Sequence, residues 1–245
     1  MITVSIVSHG HGVMVDQLVH QLELYPQVSQ IILTRNIPEP SKLRCGAKLK
    51  IIDNQSPAGF GANHNAAFKH CQNSFFCVIN PDITFIHNSF ADLIFCISEN
   101  NADLGVPLVL DTDGKVEDSV RHYPTPFSLL VKGVGGSDGS YPVMVGHKPF
   151  CPEWAAGMFM LFRRRAFDEV GGFDETFFLY YEDVDICVRM HKAGQKIVVC
   201  PSATIVHNAR RASRYHWRYL RWHLTSMVRF FCKHLGRLPR SKFDV

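Results

Sequence analysis

The residues best suited to chemistry in this chain are carboxylates set among aromatics and turns. Tyr180-Tyr181-Glu182-Asp183-Val184-Asp185 places three acids within four residues. Acids that close repel one another, so a cation, a substrate or a following helix N-terminus must compensate them. Asp183 or Glu182 at such a terminus can take a proton from a sugar hydroxyl. The same run also makes an ordinary helix N-cap with an acidic first turn. Phe177, Phe178, Tyr180 and Tyr181 beside it offer flat faces that suit sugar rings. Asn80-Pro81-Asp82 directly follows the apolar run Phe75–Ile79. A carboxylate at a strand end can hold Mg²⁺ or Mn²⁺ against a nucleotide diphosphate, although Asn-Pro-Asp is good turn chemistry too. Gly59-Phe60-Gly61-Ala62-Asn63-His64-Asn65 reads as a glycine turn into a helix whose N-terminus can meet a phosphate. Trp154-Ala155-Ala156-Gly157 sets small residues against a Trp, either as close packing or as a floor for an acceptor. His207 ends the strand-like segment Ala203–Val206, where a lone histidine is more often structural than a ligand.

The elements that must carry these groups alternate between strand and helix. Ile2–Ser8 alternates apolar and polar residues, and Val13–Tyr25 shows helical spacing through Val15, Leu18, Val19 and Leu22. Val28–Leu33, Leu49–Ile52 and Phe75–Ile79 read as strands and Ala62–Cys71 as a helix. Further strands are expected at Leu104–Leu110, after the turn Asp111–Gly114, and at Ala155–Phe162, Lys196–Val199 and Ala203–Val206. Helices are expected at Arg165–Val170 and Val184–Lys192, and a loop over Lys132–Lys148. This pattern predicts an α/β fold with a mostly parallel sheet and helices on both faces.

The 245 residues carry 26 Lys+Arg and 22 Asp+Glu, a net of +4, and 46% are hydrophobic. Disordered and fibrous classes are excluded. The charge is unevenly placed: residues 1–207 are net −5 and residues 208–245 net +9, with Asp244 the lone acid of the tail. The organisation expected is a domain over 1–207 and a basic helical tail over 208–245. From Trp217 the apolar residues Leu220, Leu224, Met227, Val228, Phe231 and Leu235 oppose Arg214, Arg218, Arg221, Arg229 and Lys233, which is an amphipathic helix. Such a helix either docks on its own domain or lies on an anionic membrane. There is no signal-peptide pattern and no apolar run of transmembrane length. The eight cysteines are scattered without a C-x-x-C pair, which argues against zinc and for free thiols in a reducing, cytoplasmic compartment.

Taken in order, the motifs resemble the family 2 glycosyltransferases of the GT-A fold over nearly the whole chain. The match runs through Ile6-Val7-Ser8-His9-Gly10, Gly59-Phe60-Gly61 with Asn63 and Asn65, Asn80-Pro81-Asp82-Ile83, Ser119-Val120-Arg121 with Pro124, Ala156–Met160, Gly172-Phe173-Asp174 and Tyr181–Arg189. The opening I-V-S-H-G-H, the N-P-D-I and Arg221-Trp222-His223-Leu224 are similar to bacterial O-antigen rhamnosyltransferases. The resemblance implies Asp183 as catalytic base with Glu182 beside it, and Asp82 and His207 as ligands of Mg²⁺ or Mn²⁺. It implies donor contacts from Ser8, Asn36, Gly61, Asn65, Asn80 and Asp82, and acceptor contacts from Arg121, Trp154, Gly157, Tyr181 and Asp185. Many members carry Asp-Asn after the second strand, where the Asp reads the nucleobase; here Thr34-Arg35-Asn36 stands, so Asn36 or a backbone group must substitute.

The implied reaction is inverting transfer of a sugar, L-rhamnose from dTDP-rhamnose, to a lipid-linked saccharide of a bacterial surface polysaccharide. The setting is the cytoplasmic face of the inner membrane, with Arg214, Arg218, Arg221 and Trp222 at the membrane or lipid acceptor. A UDP-hexose or UDP-N-acetylhexosamine transferase is the alternative. A nucleic-acid-binding protein using the aromatic, basic tail is a remote one, disfavoured by the acidic body.

Overall fold

The computed structural model describes residues 1–133, 135, 139–208, 217–234 and 236–239. β1 (Ile2–Ser8), β2 (Val28–Arg35), β3 (Leu49–Asp53) and β4 (Phe75–Ile79) pair in parallel and form one half of the main sheet. β9 (Phe159–Arg163) runs antiparallel to both β4 and β6 (Leu104–Leu110), joining that half to the rest. β10 (Ile197–His207) lies parallel to β6, and the short β5 (Ile83–Thr84) closes the edge against β10. The order is β3-β2-β1-β4-β9-β6-β10-β5, so six strands share one direction and β9 and β5 oppose it. β4 (FFCVI) and β6 (LGVPLVL) are buried throughout, as strands covered on both faces must be.

Two cores follow from two covered faces. α1 (Val13–Glu23) and α3 (Phe90–Glu99) pack Val15, Leu18, Leu22, Phe90, Leu93 and Ile97 against Ile2, Val4 and Ile6 on one side. α2 (Phe60–Phe68), α5 (Arg164–Glu169) and α6 (Glu182–Lys192) pack on the other, with Ala67, Phe167, Ile186 and Val188 against Phe76 and Val78. α4 (Pro126–Gly133) lies in the connection between β7 (Val120–Arg121) and β8 (Trp154–Ala155), which pair as a two-stranded ribbon. α7 (Trp217–His234) joins the second core through Phe230.

Several expectations shift. The two strands expected at Lys196–Val199 and Ala203–Val206 are one strand, β10, whose register slips between Cys200 and Thr204. Pro201 lies in that slip, where a residue with no N–H interrupts the ladder. The turn at Asp111–Gly114 leads only to a single bridge between Leu110 and Val116. The strand expected at Ala155–Phe162 breaks at Ala156-Gly157-Met158, a break the candidate active site uses. α3 is an element the strand–helix alternation did not assign. It lies against β10, and there Cys96 and Cys200 form a disulfide with Cα atoms 6.2 Å apart across 104 residues. This corrects the expectation of free thiols for that pair; Cys71, Cys77 and Cys187 are free and buried. The loop expected at Lys132–Lys148 lies partly outside the described residues, and so does Arg214. Among the described residues no helix is long and apolar enough to cross a membrane.

Candidate active site

The carboxyl ends of β1, β2 and β4 open onto a cleft of about 620 Å³. It is lined there by Val7, His9, Asn36, Asn80 and Asp82, and across from them by Ala156, Gly157, Glu182 and Asp183. Ligands gather at this end of an α/β sheet because the chain must loop back there and leaves backbone groups unpaired. Among the described residues seven buried polar side-chain atoms have no partner, and three of them, on His64, Asp82 and Glu182, belong to residues lining this cleft. Buried polar atoms without partners are costly unless a polar ligand completes them. A separate hollow, lined by Ser74, Asp103 and Arg163–Arg165 at the opposite end of β4, contains none of the candidate residues.

Glu182 and Asp183 reach the cleft through a strained turn. Tyr180 and Tyr181 both take left-handed backbone, with φ of 69° and 67°. Each such non-glycine residue costs on the order of 1 kcal/mol, and the pair turns the chain so that α6 begins with its acids facing the cleft. Asp183 Oδ2 accepts from the Gly157 N–H at 3.0 Å and Oδ1 from the Val184 N–H at 2.8 Å. A side chain at position 157 would meet the Asp183 Cβ at 3.4 Å, so glycine suits the approach of backbone to carboxylate. Burial raises both carboxyl pKa values, and that of Glu182 is raised further by the charge of Asp183. The Gly157 and Val184 N–H donors favour charge on Asp183, while Glu182 Oε2 is buried without a partner.

Asp82 and His207 come together through strand register. His207 pairs with Ile83 across β10 and β5, and the Asn208 N–H donates to the Asp82 carbonyl at 2.9 Å. His207 Nε2 then lies 3.3 Å from Asp82 Oδ2, and His207 Nδ1 lies 2.7 Å from Glu117 Oε2. Burial would lower the His207 pKa, but the two carboxylates outweigh it and raise the value. Asp82 Oδ1 is buried without a partner. A hard oxygen beside an imidazole nitrogen fits Mg²⁺ or Mn²⁺. Among the described residues no group of three or more His, Cys, Asp or Glu closes on an ion by itself. A magnesium-type site of one carboxylate and substrate phosphates has that shape. Glu117 carries no sequence signal, since it sits two residues before the Ser119-Val120-Arg121 motif in a segment that makes only one bridge.

Other candidates lie elsewhere. The Asn36 side chain lines the cleft but its amide is fully engaged: Nδ2 contacts the Ala58 carbonyl and His9 Nδ1, and Oδ1 accepts from Asn54 and the Ala58 N–H. It holds the 54–59 loop in shape and has no capacity left to read a base. Ser8 is buried and does not itself line the cleft, but its hydroxyl lies 3.4 Å from Nδ1 of His11, which does. Gly61 and Asn65 face the second core: a Cβ on Gly61 would strike Phe173 at 2.6 Å, and Asn65 bonds both the N–H and the carbonyl of Phe173. They join α2 to the 172–175 turn rather than meeting a phosphate. Arg121 pairs with Asp118, and Trp154 Nε1 donates to the His122 carbonyl at 2.9 Å; neither lines the cleft.

Asp185 is fully buried on the far side of α6 from Asp183, bonded to Arg189 Nε at 2.7 Å and His234 Nε2 at 2.8 Å and paired with Lys233. Burial would raise its pKa, but the hydrogen bonds from His234, Lys233 and Arg189 and the charge of Arg189 lower it. It anchors α7 and touches no acceptor space. Tyr181 packs on Phe230 of α7 at 5.4 Å instead of lining the cleft, a role that falls to Tyr180. α7 also bonds through Ser226 Oγ to the Leu179 carbonyl at 2.9 Å and stacks Trp222 on Phe178 at 4.8 Å. Arg218, Tyr219 and Trp222 thereby form one wall of the cleft, while Arg221 is exposed outside it.

An α/β sheet with an antiparallel insertion, and a carboxylate cleft at the strand ends, make the architecture of the GT-A fold. The structure of GalNAc-T7 with UDP, GalNAc and Mn²⁺ has the same fold, at TM-score 0.66 and 16% identity over 86% of this chain and 44% of that one. The mannosyltransferase PcManGT of Pyrobaculum calidifontis in complex with GDP-Man and Mn²⁺ follows at TM-score 0.60 and 11% identity, over 93% of this chain and 64% of that one. Residues 151–225 match the family described as glycosyltransferase like family 2. The chain is 28% identical to the rhamnosyltransferase WbbL of Escherichia coli K12, over 95% of this chain and 93% of that protein. It is 36% identical to the N-acetylglucosaminyl-diphospho-decaprenol L-rhamnosyltransferase of Mycobacterium tuberculosis, over 54% of this chain and 46% of the relative. In fold, motif order and relatives, the chain is similar to the family 2 glycosyltransferases.

Proposed function

We propose that the chain transfers L-rhamnose from dTDP-rhamnose to a lipid-linked saccharide, with inversion at the anomeric carbon, in the synthesis of a bacterial surface polysaccharide. The observation that carries the reading is the sharing of one cleft by Asp183 and by Asp82, which has His207 beside it. The rhamnosyltransferase relatives support the sugar, and the mycobacterial relative's name supports a diphosphate-lipid acceptor. Asp183 takes the proton of the acceptor hydroxyl as its oxygen bonds to the anomeric carbon. The bond from that carbon to the diphosphate breaks, and its electron pair leaves with dTDP. A single displacement needs one base, unlike the two working carboxylates of retaining glycosidases. Asp82 and His207 are the side chains that would hold Mg²⁺ or Mn²⁺. Bound there, the ion supplies positive charge against the leaving diphosphate. A lipid-linked acceptor puts the reaction at the inner-membrane surface, on its cytoplasmic side.

A panel of nucleotide sugars with Mn²⁺, scored by thermal shift and then by transfer, tests the donor. dTDP-rhamnose is expected to raise the melting temperature most; a larger shift with UDP-N-acetylglucosamine would move the chain to the alternative donor class. Asp82→Ala should remove metal-dependent dTDP binding by calorimetry, leaving titrations with and without Mn²⁺ alike. Glu117→Gln should weaken Mn²⁺ about tenfold, because the carboxylate on Nδ1 orients the imidazole and raises its basicity. An unchanged Mn²⁺ affinity in that variant would remove Glu117 from the metal-site account.

A further inference from the structure

Docking of α7 uses only one of its faces. Ser226, Phe230 and His234 are buried against the domain, and Trp222 and Met227 are half-buried beside them. The opposite face is exposed and apolar: Trp217 is 69% exposed, Leu220 60%, Leu224 47% and Val228 57%. Their spacing of three, four and four residues puts them on one line of the helix, about 15 Å long. Leu220, Leu224 and Val228 therefore do not seat the helix on its domain. The seam instead is aromatic and polar, and the aliphatic stripe is left over. Beside the stripe stand Arg221 and Arg229, both exposed, and no acidic residue occurs anywhere from 208 to 243. Apolar side chains flanked by arginines, with no acid among them, match a surface that has an apolar interior under anionic headgroups.

We propose that the outward face of α7 is a membrane-binding surface, on which Trp217, Leu220, Leu224 and Val228 enter the acyl boundary of an anionic bilayer while Arg221 and Arg229 meet lipid phosphates. The same helix walls the cleft through Arg218, Tyr219 and Trp222. One rigid element therefore joins bilayer and cleft, and a lipid-borne acceptor needs to travel only the width of a helix to reach Asp183. The proposal rests on the proposed function only in taking the acceptor as lipid-linked; the surface itself is argued from exposure and charge.

The test is co-sedimentation of the full chain with vesicles, of phosphatidylcholine alone or mixed with phosphatidylglycerol. The wild type should bind the mixed vesicles, more weakly as salt is raised. The L224E/V228E variant should lose about tenfold or more in partitioning while keeping its melting temperature and its transfer to a water-soluble, short-chain acceptor. R221Q/R229Q should lose the preference for phosphatidylglycerol. Vesicle binding unchanged in L224E/V228E, or absent in the wild type, would overturn the proposal. So would a wild-type dimer in light scattering that this variant dissociates, because a second copy would then cover the stripe. Transfer to the soluble acceptor is read separately, so failure of the membrane surface and failure of the sugar-transfer reading give different results.

Discussion

Asp183→Asn lowers sugar transfer by about 10²- to 10⁴-fold and leaves the fold intact. The side chains are nearly isosteric, and the Asn carbonyl oxygen can still accept one of the two N–H groups, Gly157 or Val184, that hold the carboxylate. What disappears is the capacity to receive a proton. Donor binding measured by calorimetry should stay within a few-fold of wild type, and the melting temperature should fall little if at all. Turnover near wild type in a donor-consumption assay would exclude Asp183 as the base. The pH profile carries the same signature. Burial raises the Asp183 pKa, and the base must be ionised to work, so the rate rises with pH through a value above the ordinary aspartate range. In Glu182→Gln the coupled partner no longer titrates, so the acid limb should steepen toward a single ionisation.

Asp185→Ala, two residues further on, has the opposite character: it costs about 3 kcal/mol of stability and acts on transfer only through α7. The carboxylate is fully buried, pairs with Arg189 and Lys233 and bonds His234, so its loss leaves two cations and an imidazole facing a void. The expected readout is a lower urea midpoint, with transfer reduced because Arg218, Tyr219 and Trp222 lose their support at the cleft wall. H234A should reproduce part of the loss in stability. If Asp185→Ala melted like the wild type but failed to transfer, an acceptor role for Asp185 would be restored. The contrast is geometric: residues 183 and 185 are about 200° apart around a helix, so one meets substrate and the other the protein interior.

Much of the scaffold was legible because its signals are local. The β1, β4 and β6 spans match the runs read from the chain residue for residue, since a buried strand needs only a short apolar run between turns. α5 and α6 end within one residue of their expected ends for a similar reason: Gly171 and Gly194 lie just past their last turns. The acid run at Glu182-Asp183 and the carboxylate after β4 were visible as residue types at strand and helix ends. Roles set by pairing across long separations were not. Glu117 and His207 are 90 residues apart, and Asp185 and His234 49 apart, yet each pair is in hydrogen-bond contact. Asn36, Asn65 and Gly61 carry the residue types of ligand contacts, but the structure uses them to tie loops and helices together.

The charge division between an acidic body and a +9 tail belongs to the sequence alone, as do the family motifs and their order. Hydrophobic periodicity also specified that a helix starts at Trp217, because an apolar repeat near 3.6 needs no partner to be read. Periodicity is silent on which face of that helix is buried. Burial depends on what the domain offers, and here it offers the Leu179 carbonyl, Asp174, Asp185 and the ring of Tyr181, which favour a seam of Ser226, Phe230, Lys233 and His234. Tertiary structure thus decided that the aliphatic stripe faces outward and that the arginine, tyrosine and tryptophan of the first turns face the cleft.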